Sequence, residues 1–202
     1  MEIRDRILEA AARVYALHGY RGSTTRLIAN EAGVNEVTLF RTFGSKDSLL
    51  EALARGHADA AEVPELPAIP KHPERELSDW CRSVLAYLTQ HRSFLRKSMS
   101  EMEEHPVVAE SACTGPNCAG QALARYVRAL TEHGLARPEG DTDTAISMLM
   151  ASLFGDAMYR DMMPGAFPEP AGAAPARYAC CFLRAVGVPP APRRRKSTAS
   201  PA

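Results

Sequence analysis

The 202-residue sequence has no net charge, with 24 lysines and arginines against 24 aspartates and glutamates. Bulk electrostatic attraction to nucleic acid is thereby excluded, and any such binding must rest on a local patch. No uncharged run reaches membrane-spanning length; the longest notable one, Thr144 to Gly155, falls short of the roughly 20 residues needed. The opening MEIRDRILEA alternates charge with apolar residues and lacks the apolar centre of a signal peptide, so a cytoplasmic location without membrane contact is expected. Cysteine is sparse and odd in number. Cys81, Cys113, Cys118, Cys180 and Cys181 form no compact framework, which favours reduced thiols over disulfides, and the adjacent Cys180 and Cys181 are poorly placed to pair. No segment sustains the two-residue alternation of a half-buried strand, so the expected architecture is all-α.

What the chain does have is apolar content of 46%, enough for one sizeable core or two small ones. Ile3, Ile7, Ala11, Val14 and Tyr15 recur at helical spacing and predict a first helix that stops at His18-Gly19. After GYRG, Ser23 or Thr24 can cap a short second helix buried through Leu27, Ile28 and Ala32, which Gly33 ends. Asn35 can cap a third helix carrying Val37, Leu39, Phe40 and Phe43, with Glu36 at the favourable end of its dipole. Ser45 caps a fourth from Lys46 to the neighbourhood of Ala60, where VPELPAIPKHP interrupts the pattern and marks the best candidate boundary.

Beyond it, helices are expected over Glu74–Gln90, Ser93–Glu104, Val107–His133, Asp143–Met163 and Ala174–Val186, with the third of these split at TGPN, Thr114 to Asn117. The tail PPAPRRRKSTASPA has too little apolar surface to pack and is expected to be a disordered basic tail over residues 189–202.

Two short helices joined by a tight glycine-containing turn and buttressed by a longer first helix make a helix-turn-helix, whose second helix lies in the major groove. The pair here is Thr24–Ala32 and Asn35–Thr42. Val37, Leu39 and Phe43 cannot all face DNA, because some must pin the helix to its neighbours; the remaining surface offers Asn35, Glu36, Thr38 and Arg41.

The string HGYRGSTTRLIANEAGVNEVTLFRTFGSKDSLLEAL, from His18 to Leu53, resembles the DNA-binding domain of the TetR (tetracycline repressor) family of bacterial transcription regulators. The shared elements fall in family order: the Gly-aromatic turn, the Ser-Thr cap, Ile-Ala, Ala-Gly-Val, an aromatic three before Phe, and Ser-Lys-Asp. Two residues depart from the family pattern. Members usually carry tyrosine where this chain has Phe40, which cannot offer a phosphate a hydroxyl hydrogen bond. Members often have a small or basic residue near Glu36, whose carboxylate either accepts from a cytosine amino group or repels phosphate.

The resemblance implies a three-helix DNA-binding domain over residues 1–46, linked by a long helix, 46–60, to a helical ligand-binding and dimerisation domain over 47–188. It implies a sequence-specific transcriptional regulator, a ligand-responsive repressor acting as a homodimer on a palindromic double-stranded operator, with no enzymatic activity, cofactor or metal. On that surface Ser45 and Lys46 meet a phosphate at a helix start, Lys46 foremost, and Thr24, Thr25 and Arg26 do so on the adjoining backbone. Asn35, Glu36, Val37, Thr38, Phe40 and Arg41 lie nearest the groove.

The family's last two helices usually dimerise, which here points to Ala151, Ser152, Gly155, Tyr159, Tyr178 and Phe182. A pocket for an unknown, largely apolar effector is expected among Trp80, Tyr87, Phe94, Met99, Met102, Tyr126, Met148 and Phe154. Two competing readings stand beside this one. Cys113 and Cys118 could join His105 or His133 in a metal or thiol sensor, although a five-residue offset is a weak signal. A helical adaptor for another protein is the other.

Overall fold

The computed structural model describes residues 2–59, 65–101, 103 and 106–190. Among them the elements are α1 (Ile3–Gly22), α2 (Thr25–Ala32), α3 (Glu36–Phe43), α4 (Lys46–Asp59), α5 (Pro73–Gln90), α6 (Arg92–Glu101), α7 (Pro106–Glu132), α8 (Thr142–Tyr159) and α9 (Ala174–Ala185), with two short 3-10 turns between α8 and α9. No strand occurs among the described residues, so the all-α expectation holds. Residues 60–64, which include the first two of the proline-rich stretch, and 191–202 of the basic tail lie outside the described residues.

Two apolar cores organise the chain. In the first, α1 contributes Ile7, Ala10, Ala11, Val14 and Tyr15, the i, i+3, i+4, i+7 spacing of a single helix face, and these pack with Ile28, Leu39, Leu49 and Leu53 from α2, α3 and α4. In the second, Leu77, Trp80 and Cys81 of α5 meet Leu123, Tyr126 and Leu130 of α7, Leu149 and Leu153 of α8, and Phe182 and Leu183 of α9. Each fully buried leucine contributes about 2 kcal/mol of burial free energy. Helix α6 joins the two cores: the Phe94 ring lies 5.2 Å from that of Tyr15 on α1, and Arg96 reaches both carboxylate oxygens of Asp161, at 2.6 and 3.2 Å, just beyond α8.

The helix ends follow local chemistry. Thr24 caps α2 by accepting from the Leu27 N–H at 3.2 Å, and Asn35 caps α3 by accepting from Val37 at 2.9 Å. Gly33, at φ +64°, supplies the left-handed residue that turns the chain between them. Ser23, the other candidate cap, is buried, and its hydroxyl donates to the Gly19 carbonyl at 2.6 Å. Gly19, at φ +68° and ψ -172°, interrupts the regular helix as expected, and a further short turn continues beyond it to Gly22.

The expected break at TGPN is corrected: α7 runs without interruption from Pro106 to Glu132. A proline's φ is itself helical and it withholds one hydrogen bond, a cost that the packing of a long helix outweighs. After α9, Gly187 sits at φ +78° where the chain presses on the α7–α8 connection: the Arg137 N–H donates to its carbonyl at 3.1 Å, and a Cβ here would stand 2.1 Å from the Arg137 carbonyl oxygen.

Candidate nucleic-acid interface

Helices α2 and α3, joined through Gly33, Val34 and Asn35, form the helix-turn-helix, and α1 braces it from behind. Arg6 of α1 donates through Nη2 to the Ala32 carbonyl at 2.7 Å and reaches Gly33 O at 3.3 Å, closing the exposed carbonyl end of α2. That contact spans 26 residues of sequence, and nothing local announces it.

The rotation of α3 decides which side chains can meet a groove. Leu39 is fully buried and Phe43 is half-buried against the same core. Val37 is 70% exposed and Phe40 46% exposed, with Asn35 and Arg41 also exposed and Thr38 half-buried beside them. Val37 therefore belongs to the outer face and takes no part in pinning the helix. Glu36 is corrected in the opposite sense: it is half-buried, and its carboxylate accepts a hydrogen bond from the Thr25 hydroxyl at the start of α2. The sequence offers it as an outward group because it cannot reveal a donor eleven residues away.

The remaining expected backbone contacts are distributed over two helix starts. Thr24 and Arg26 are exposed at the start of α2. Ser45 accepts from the Ser48 N–H at 3.0 Å and caps α4. Lys46 opens α4, donates to the Tyr20 carbonyl and lies 4.0 Å from the centre of the Tyr20 ring. The Tyr20 hydroxyl in turn donates to Asp47, whose carboxylate, together with burial, pushes the phenol above its ordinary value. Tyr20, Asp47 and Arg6 are the functional neighbours that the sequence reading missed. The Gly-aromatic turn and the Ser-Lys-Asp element both show in the sequence, but not their pairing.

The body does not gather the expected pocket residues around one space. Trp80 and Tyr126 are buried in the second core, Tyr87 and Phe154 are half-buried, and Phe94 packs toward α1. Met99 and Met148, the latter 66% exposed, face outward and do not line an interior; their helical spacing does not distinguish an outer from an inner face. Met102 lies outside the described residues. An open cleft of about 430 Å³ between α5 and α9, lined in part by Glu74, Arg75, Asp79, Arg82 and Cys180, contains none of them. Burial pushes the Tyr87 phenol up to about 12 and holds the neighbouring His91 below its usual value.

Of the expected dimer residues, Ala151 and Tyr159 are exposed on α8 beside Met148, while Ser152 and Gly155 are half-buried. Phe182 is corrected: at 4% exposure it fills the second core, because α9 turns Tyr178 and Phe182 inward and leaves Arg177, Cys181 and Arg184 outside. Cys81 is buried, and burial pushes its thiol up to about 12, whereas Cys118, Cys180 and Cys181 are exposed. His105 and the Cys113 side chain lie outside what is described. His133 stands fifteen residues after Cys118, roughly 22 Å along a continuous helix, so those two cannot share a metal. Among the described residues no group of three or more potential ligands comes together, and no helix is long and apolar enough to cross a membrane.

Comparison with known proteins gives the same picture from outside. The family model "Bacterial regulatory proteins, tetR family" matches residues 7–53. The chain is 28% identical to the uncharacterized HTH-type transcriptional regulator YvkB of Bacillus subtilis (strain 168), over 77% of this chain and 81% of that protein. It is 38% identical to the HTH-type transcriptional repressor AcnR of Corynebacterium diphtheriae, over 44% of this chain and 43% of that one. Among solved structures, Salmonella enterica GusR superposes with a TM-score of 0.73 at 20% identity, covering 90% of this chain and 95% of that chain. The flavonoid-responsive regulator FrrA superposes at 0.71 with 21% identity, covering 94% and 98%.

Proposed function

We infer that the chain, whose residues 7–53 match the tetR family of bacterial regulatory proteins, is a DNA-binding transcriptional regulator of that family and acts as a homodimeric repressor that a small apolar effector releases from its operator. The observation that carries the reading is the outer face of α3, where Val37, Phe40 and Arg41 stand exposed between two capped helix starts. Arg41 and Thr38 supply hydrogen bonds to base edges, and Val37 and Phe40 supply apolar contact. Thr24, Arg26, Ser45 and Lys46 hold the flanking phosphates.

Residues 1–46 form the DNA-binding unit and 47–188 the unit that binds effector and partner. The exposed strip of Met148, Ala151 and Tyr159 on α8 supports pairing of two chains through that helix. Pairing sets the reading helices about 34–36 Å apart for successive major grooves of a palindrome, and effector binding favours a body conformation with another separation. The site of action is the cytoplasm, where the DNA is.

A gel-shift titration on the DNA upstream of the chain's own gene, with sedimentation analysis of the same sample, tests the reading. A defined shift by a dimer is expected. A monomer that binds no fragment better than bulk DNA overturns it.

A further inference from the structure

Helix α3 is eight residues long and has a single fully buried residue, Leu39. A helix held only near its middle has its axis position fixed but not its rotation or tilt, because apolar contact is not directional. Its two ends therefore decide the angle at which Val37, Phe40 and Arg41 are presented. At the far end Phe43 packs half-buried, with the Arg4 guanidinium carbon 5.5 Å from its ring centre. At the near end Glu36 accepts the hydrogen bond from Thr25. Positions 36, 39 and 43 lie on one helix face, so all three holds act on the inner side of α3 and leave the outer side clear.

We propose that the Thr25–Glu36 hydrogen bond is a positioning device for sequence reading, in which Glu36 touches no base and Thr25 no phosphate. It rests on the DNA-binding reading above. A hydroxyl bound to a carboxylate is directional and about twice as strong as a neutral pair, so it fixes the starting angle of α3 against α2 as Leu39 cannot. Thr24 has a separate task, capping α2 through Leu27, which leaves the Thr25 hydroxyl for the inter-helix bond. Breaking that bond lets the reading face tilt. Contacts to particular bases then weaken, while phosphate contacts, which tolerate small displacements, persist.

The test compares, for the full-length protein, affinity for the duplex that the wild type selects from a random pool with affinity for alternating poly(dI-dC). The ratio of the two is the readout. Thr25→Val and Glu36→Met each lower that ratio about tenfold, and the double variant lowers it no further than either alone. Thr25→Ser and Glu36→Gln keep a donor and an acceptor and hold the ratio within about twofold. Thr25→Ala stands in should valine disturb the start of α2, and circular dichroism checks folding throughout.

Additive losses in the double variant overturn the proposal. So does an equal drop on both DNAs for Thr25→Val, which marks a phosphate contact, or a changed base preference at one position for Glu36→Met alone, which marks a base contact. If the wild type selects no duplex, the DNA-binding reading itself fails. If it does select one and every variant discriminates as well as it does, only the positioning role falls.

Discussion

Asp156 on α8 accepts a 2.8 Å hydrogen bond from the Tyr178 hydroxyl on α9, and Arg160 grips the same carboxylate at 2.5 and 2.6 Å. Asp156 is 2% exposed, and these partners satisfy both of its carboxylate oxygens inside the fold. Asp156→Ala leaves Arg160 without its main counter-charge and is expected to lower stability by about 3 kcal/mol. Tyr178→Phe removes one hydrogen bond and should cost about 1 kcal/mol. Urea unfolding at one fixed protein concentration measures both.

The backbone contacts and the reading contacts should separate by salt. Lys46→Ala is expected to weaken binding to every DNA sequence and to reduce the slope of log affinity against log salt by about one unit. Thr38→Ala or Arg41→Ala should instead change base preference with the slope held nearer the wild-type value. If all three substitutions leave DNA affinity unmoved, this surface is wrongly assigned.

Phe40 stands on the outer face without the hydroxyl of its usual tyrosine counterpart. Restoring it by Phe40→Tyr should raise affinity for non-specific DNA by roughly fivefold at low salt, through one hydrogen bond to a phosphate. Fluorescence anisotropy with poly(dI-dC) reads the change. An unchanged value means position 40 does not approach the backbone.

Glu76 and Tyr126 give the body opposite pH limbs. The Tyr126 hydroxyl donates to Glu76 at 2.7 Å, and the Lys71 and His72 N–H groups donate to the same carboxylate at 2.9 and 2.8 Å. Burial pushes the Glu76 carboxyl up, but these bonds outweigh it and hold the group below its ordinary 4.5. A lowered folded value gives stability in full above pH 4.5, lost as pH falls through the folded value. Tyr126 is raised by burial and by the adjacent carboxylate, so its contribution is full below pH 10.0 and lost as pH climbs past that. Glu76→Gln should flatten the acid limb of stability against pH and Tyr126→Phe the alkaline one, in urea titrations stepped across pH.

Pairing through α8 predicts that a charge on its exposed strip separates the chains. Ala151→Arg places a guanidinium where two apolar strips would meet and is expected to raise the dimer dissociation constant by about a hundredfold. Operator affinity should fall with it, while the circular dichroism spectrum stays that of the folded chain. An unchanged sedimentation profile means the chains meet elsewhere.

The helix-turn-helix was legible because its signals are local. Thr24 and Asn35 cap within three residues and Gly33 turns the chain by its own φ. What stayed hidden depends on partners far away in sequence. Arg6 closes α2 from 26 residues back, Thr25 turns Glu36 inward, and the Lys46 ammonium leans on Tyr20. In the body the period marked Met148 and Phe182 alike as apolar, yet one lies outside and the other in the core. Hydrophobic spacing finds a helix face and cannot say whether that face meets this chain, another chain or a ligand.

Gly187 ties the exit of α9 to Arg137 so closely that any Cβ collides with main chain, in a backbone conformation that other residues already resist. In a saturation library scored for DNA binding at elevated temperature, position 187 should tolerate a single letter of the alphabet. It is therefore a seat for a conditional allele: Gly187→Ala loosens the body with the reading helix untouched, giving a regulator that works at low temperature and lets go of its genes when warmed.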